Sequence, residues 1–81
     1  MAIKSDVNFR GIILNDMYIK IEKIINSTPE IEVSVSFYSI VDGKKDQFIQ
    51  RQSISLDNNK EIIALAYNSL KSQFFKNGIQ I

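Results

Sequence analysis

The chain has no cysteine and no histidine among its 81 residues. Without cysteine there is no disulfide to staple so small a fold, and no thiolate to act as nucleophile or metal ligand. Without histidine no side chain is set by its own chemistry to exchange protons near neutral pH, and no imidazole can ligate a metal. Glycine is scarce: the three glycines, 11, 43 and 78, stand alone, so no glycine-rich loop exists to cradle a phosphate. An excess of one charge is missing too. Ten basic and nine acidic residues leave +1, and they are interspersed, which describes a mixed solvated surface rather than a face for nucleic acid or an anionic membrane. The apolar runs are short, far below the roughly 20 residues of a membrane span. The opening MAIKSDVNF has no apolar core of a signal peptide.

What is present is the composition of one small globular domain. Residues 1–6 are polar and read as a loose N-terminus. Residues 7–14 (VNFRGIIL) read as a first strand with a bend at Gly11. Asn15-Asp16 is a turn signal. The segment 17–25 (MYIKIEKII) alternates as a half-buried strand. Ile19, Ile21 and Ile25 fall on one face, and Tyr18, Lys20, Glu22 and Ile24 on the other. NSTPE (26–30) is a loop around Pro29.

The clearest element is 31–41 (IEVSVSFYSIV). It places Ile31, Val33, Val35 and Phe37 on one face and Glu32, Ser34 and Ser36 on the other. Asp42-Gly43 closes a hairpin onto 46–56. There Phe48, Ile54 and Leu56 share a face that Gln50 and Gln52 interrupt, as a bulge or an edge position would explain. Asp57 or Asn58 caps a helix over 58–75. Its apolar stripe is Ile62, Ile63, Ala66, Tyr67, Leu70 and Phe74. Asn77-Gly78 ends it, and the short tail 76–81 is placed to join either a sheet edge or a partner. The expected architecture is α+β: an antiparallel sheet of three to four strands with one C-terminal helix packed on one face, the odd-numbered face of 31–41.

Catalytic and metal-binding constellations are missing from the pattern. Glu30/Glu32 and Asp42/Asp46 are acidic pairs, but solvated surface explains them better than a hydrolytic pair. DGKKD (42–46) lacks the ligand spacing and closing glutamate of a calcium loop. Neither an enzymatic activity nor a cofactor is expected. Lys20, Lys23, Lys44, Lys45 and Arg51, with Tyr18 and Tyr38, could meet RNA on a sheet. Glu22, Glu30 and Glu32 lie among them, so nucleic acid is not an expected partner. One helix covers only one face of a sheet. On the other face Ile24, Tyr38, Ile40 and Ile49 are the apolar candidates for a contact surface, unless loops or residues 7–14 fold over them.

Two stretches, GIILNDMYIKIEKI (11–24) and NNKEIIALAYNSLKSQFFKNGIQI (58–81), together resemble short proteins encoded by tailed bacteriophages and prophages, commonly beside tail or other structural genes. Those chains open on a segment like G-I/V-x-x-x-x-A/M-Y-I-x-I-E. They close on an I-I-x-x-A-Y-x-x-L-K helix, a short aromatic stretch and a hydrophobic end. The similarity covers about half of the chain, and its most specific piece is Ala66-Tyr67-Asn68-Ser69-Leu70-Lys71. Members often carry an acidic residue near the end, whereas NGIQI has none, which leaves the role of the terminus open.

The resemblance implies a small non-enzymatic virion structural or assembly protein of the tail, baseplate or neck. Its partners would be other copies of itself or other virion proteins, met in the host cytoplasm and then in the particle. In that reading Tyr67 and Leu70 fill the core, and the uncovered sheet face and edges do the work. The alternatives are a small intracellular binding module that inhibits or regulates a host protein and, behind it, a weak nucleic-acid binder.

Overall fold

The computed structural model describes residues 1–26, 31–57 and 63–81. Within them the order is β1 (Ile3–Phe9), β2 (Ile12–Asn26), β3 (Ile31–Val41), β4 (Lys44–Leu56), α1 (Ile63–Phe74) and β5 (Ile79–Gln80). All strand pairs are antiparallel, in one sheet ordered β4-β3-β2-β1-β5. The broad α+β expectation fits, but the strands number five rather than three to four. Two segments account for the difference. Residues 3–6, expected to be loose, belong to β1, where Ile3 is fully buried, and Ala2 just before the strand is nearly so. The tail supplies β5, opposite Ile3 and Lys4. Ala2 and Ile81 exchange a further pair of backbone hydrogen bonds, 3.1 and 2.9 Å.

Two tight turns make the meander. Asp42 and Gly43 both have positive φ, 53° and 74°, the geometry of a two-residue hairpin whose twist matches its strands. Arg10 and Gly11 do the same, at 52° and 89°, between Phe9 and Ile12. The stretch 7–14 is therefore a hairpin tip and not one strand. Asn8 supports the turn by accepting the Gly11 N–H on its side-chain oxygen at 2.7 Å.

Bulges then re-aim the side chains. Asn15-Asp16 is not a turn but a bulge inside β2. The register steps from Ser5 opposite Met17 to Val7 opposite Leu14, and Asp16 sits at φ 53° with its N–H bonded to Asp6 Oδ1 at 2.9 Å. A second bulge in β2, at Glu22, reverses the parity of the residues beyond it. Ile24 thus lies opposite Val33 and packs against the core, while Ile25 is exposed. This corrects the expectation that Ile24 faces away from the helix and Ile25 toward it. A third in β2 leaves Ile25 without a partner between Ile24 opposite Val33 and Asn26 opposite Glu32. A bulge at Ile49 in β4 separates Phe37 opposite Gln50 from Tyr38 opposite Phe48. Phe48 is thereby turned to the face opposite Ile54 and Leu56, against the shared face expected for the three.

The helix covers the odd-numbered face of β3, where Ile31, Val33, Val35 and Phe37 are buried. Ile3, Val7, Met17, Ile19, Ile21, Ile54 and Leu56 complete the sheet side of the core, and Ala66, Tyr67 and Leu70 come from α1. Ile63 and Phe74, expected in the helical stripe, are about half exposed. The helix stops at Phe74, and Phe75, just beyond it, reaches back to Phe37 edge-to-face at 6.2 Å. Ile62 and the expected cap Asn58 lie outside the described residues. Gly78 is buried because β1 passes against it: a Cβ there would sit 2.9 Å from Ile3 Cγ2 and 3.0 Å from the Phe75 carbonyl oxygen.

Two hydrogen bonds tie α1 to the sheet among the described residues: an exposed one from Gln80 Nε2 on β5 to Asn68 Oδ1 at 2.6 Å, and a buried one to Tyr67. The paired residues of β1 and β2 run no farther than Ile3 opposite Ile19. Beyond that point the buried Tyr67 hydroxyl accepts the Ile21 N–H at 2.8 Å. Burial pushes the Tyr67 phenol above its usual value. The Ile21 N–H pulls the other way, and Tyr18 and Glu22 add to the rise.

The packing can be tested at two positions. Leu70→Ala should lower unfolding free energy by about 2–5 kcal/mol, read from denaturant midpoints. An unchanged midpoint would remove Leu70 from the core. Tyr67→Phe leaves the Ile21 N–H buried without its acceptor and should cost about 1–3 kcal/mol. Because the folded phenol holds its proton more tightly than the unfolded one, the stability it contributes is fully present below the unfolded value of about 10. That stability is lost as pH climbs through the raised folded value. Between about 10 and the raised folded value the wild-type thermal midpoint should therefore fall more steeply with pH than the midpoint of Tyr67→Phe.

Candidate interaction surface

The face of the sheet opposite the helix has no element laid over it among the described residues. Alternation and register place Tyr18 on β2, Tyr38 on β3 and Phe48 on β4 side by side across it. Their rings meet edge-to-face, Tyr18 to Tyr38 at 6.1 Å and Tyr38 to Phe48 at 5.8 Å. Cations lie against two of them: Lys45 Nζ is 4.7 Å from the Tyr38 ring centre and the Arg51 guanidinium 5.7 Å from that of Phe48. Exposed contacts of this kind are weak individually, and they hold long side chains in place more than they hold the fold together.

Beside the rings the floor is serine. Ser34 and Ser36 on β3 are both buried, roofed by longer neighbours rather than by another layer. Arg51 Nε donates to Ser36 Oγ at 3.2 Å, and the Tyr38 hydroxyl donates to Glu22 Oε1 at 3.0 Å. Burial pushes the Glu22 carboxyl up. Hydrogen bonds from Tyr38 and Ser36 and the charges of Lys20 and Arg51 outweigh it, so the net shift is downward. The group is a connected network: arginine, serine, glutamate, tyrosine.

No protein-family model matches the sequence, and no curated protein and no solved structure matches it either. The surface therefore has to be judged on its own geometry.

Of the four residues expected to form an apolar contact surface, Tyr38 and Ile40 lie on the open face, both partly exposed. Ile49 is exposed at the β4 bulge, and Ile24 is on the helix side. The structure thus brings together two of the four. The sequence pattern missed Phe48, whose side the bulge decides; Lys45, one of the cations expected on an exposed side of the sheet, lies opposite Ile40. It also missed Ile12 and Ile13, both exposed at the β1–β2 hairpin tip. Their adjacency directly after Arg10-Gly11 was the signal that could have found them.

The second feature is an edge. Residues 44–53 of β4, ten in succession, are exposed, and among the described residues β4 pairs on one side only, with β3. The far end of the meander curls toward it. Phe9 on β1 meets Phe37 on β3 edge-to-face at 5.2 Å. Between β1 and β4 lies an open cavity of about 380 Å³, with Val7 on one bank, Gln52 and Ile54 on the other, and Phe37 and Phe75 between them. Among the described residues no three His, Cys, Asp or Glu side chains gather to hold a metal. No described helix is long and apolar enough to cross a membrane.

The network yields a titration test. Tyr38→Phe deletes the donor to Glu22 and should move that carboxyl upward toward its ordinary value, seen in the pH dependence of its NMR carboxyl signal. The wild-type group, held low, keeps its charge and its contacts until pH falls through the depressed value. An unaltered Glu22 titration in Tyr38→Phe would mean that the bond does not persist in solution.

Proposed function

We propose that this chain is a small non-enzymatic structural or assembly protein of a bacteriophage particle, from the tail, baseplate or neck, that acts by protein–protein contact. The observation that carries the proposal is β4: a 13-residue edge strand whose residues 44–53 are all exposed. A strand with one free side offers a row of backbone donors and acceptors to a second chain, and addition of a strand is a common way to use them. The cavity between β1 and β4 gives that edge an apolar bank in Val7 and Ile54. Ile49 adds an exposed apolar side chain at the strand's own bulge.

The phage assignment rests on the resemblance of 11–24 and 58–81 to short proteins encoded near phage structural genes. In the structure its Tyr67 and Leu70 lie in the core, as that resemblance implies. The likeness points to repeated copies, and repeated head-to-tail contacts close into rings when the rotation permits. The two bulges in β4 and the cations at Lys44, Lys45 and Arg51 are features that discourage indiscriminate edge pairing. They favour a partner shaped to this edge.

Light scattering after size exclusion, over a dilution series, tests the proposal. A dimer or ring-sized species that dissociates on dilution is expected, and Ile49→Asp should shift it toward monomer with an unchanged circular-dichroism spectrum. A monomer at every concentration would contradict self-assembly and move the reading to a module that binds one different protein.

A further inference from the structure

The near-neutral charge of the whole chain conceals a positive surplus on one face. Register and alternation place Lys4, Lys20, Lys23, Lys45 and Arg51 on the open face, with the carboxylates Asp6, Glu22 and Glu32 among the described residues there. Five cations against three acids leave a surplus of two on a face of a chain whose total is +1. Two of the three acids are already engaged: Glu22 accepts from Tyr38 and Ser36, and Asp6 Oδ1 accepts the Asp16 N–H. The same face carries the row Tyr18, Tyr38 and Phe48, one ring from each of three adjacent strands.

We propose that this open face binds single-stranded nucleic acid, a role separate from strand addition at the β4 edge. Two features match independently. The cations suit a phosphate backbone, and the rings suit unpaired bases, which stack on aromatic side chains whatever their sequence. An acidic protein segment would use the first feature alone. Lys45 and Arg51 rest on Tyr38 and Phe48 at 4.7 and 5.7 Å. On binding they swing to phosphates and free the ring faces, at small cost because such exposed contacts are weak. Arg51 keeps a second anchor in Ser36, which places it over the middle of the sheet. Whole-chain charge balance understates this face, whose surplus of two positive charges exceeds the +1 of the chain.

The test is fluorescence anisotropy of the full chain with labelled oligo-dT and oligo-rU of about 15 nucleotides. Binding is expected at about 50 mM salt and should weaken steeply by about 200 mM, with a log–log slope near −3 if four or five phosphates are neutralised. Phe48→Ala and Tyr18→Ala should each weaken binding by about tenfold or more at every salt concentration and leave the slope alone. Lys45→Gln with Arg51→Gln should flatten the slope. Thermal melts show that each variant is folded, and Phe48, half exposed, is the one least able to disturb the core. No anisotropy change at the lower salt overturns the proposal. So does binding that the aromatic variants leave intact and that polyglutamate competes away equally well, because that result describes a plain cationic surface suited to an acidic protein.

Discussion

A single helix of 12 residues can cover one face of a five-stranded sheet and no more. That constraint organises the molecule. The apolar residues of β1, β2 and β3 that meet α1 are buried almost without remainder, and the Tyr67 hydroxyl on the Ile21 N–H fixes where the helix lies. Everything on the reverse face must tolerate water or a partner. Sequence meets that demand with serines under a roof of long charged and aromatic side chains. Coverage also stops short at the edge. The helix reaches Ile54 and Leu56 at one end of β4 and leaves residues 44–53 exposed.

The bulges arise from the same constraint. A regular strand has a strict period of two and commits every second residue to the core. β2 and β4 are longer than the helix can cover, and an inserted residue lets each change which residues it commits. In β2 the bulge at Glu22 brings Ile24 inward and places the carboxylate where Tyr38 and Ser36 can reach it. In β4 the bulge at Ile49 sends Phe48 outward to Tyr38. The network and the aromatic row on the open face exist because these two insertions fall where they do.

The same bulges explain which features could be read from the sequence. β3 is regular from Ile31 to Val41, so its two faces and the face taken by the helix were legible from alternation alone. So were the Asp42-Gly43 turn and the central helical stripe of Ala66, Tyr67 and Leu70. A bulge, by contrast, leaves no periodic trace, because one extra residue looks like an ordinary irregularity until the partner strand is known. Ile24, Ile25 and Phe48 were misplaced for that reason. Ile3 was missed because a strand seven residues long, with Lys4, Asp6 and Asn8 alternating outward, looks polar when its buried half is Ile3, Ser5 and Val7, one of them a serine. Of the open face, the presence of Tyr38 and Ile40 was legible. So was the grouping of Lys20, Lys23, Lys45 and Arg51; the side taken by Phe48 was not, since it depends on register.

Assembly through the backbone edge of β4, as proposed, would leave the open face free for a different ligand. Amide hydrogen exchange as a function of protein concentration tests that placement most directly. If copies join along β4, amides within residues 44–53 exchange fast in dilute protein and become protected as the mass of the species grows, with β2 and β3 unchanged. Growth in mass that leaves β4 unprotected, or protection that appears instead over Tyr18 and its neighbours on the open face, would contradict it.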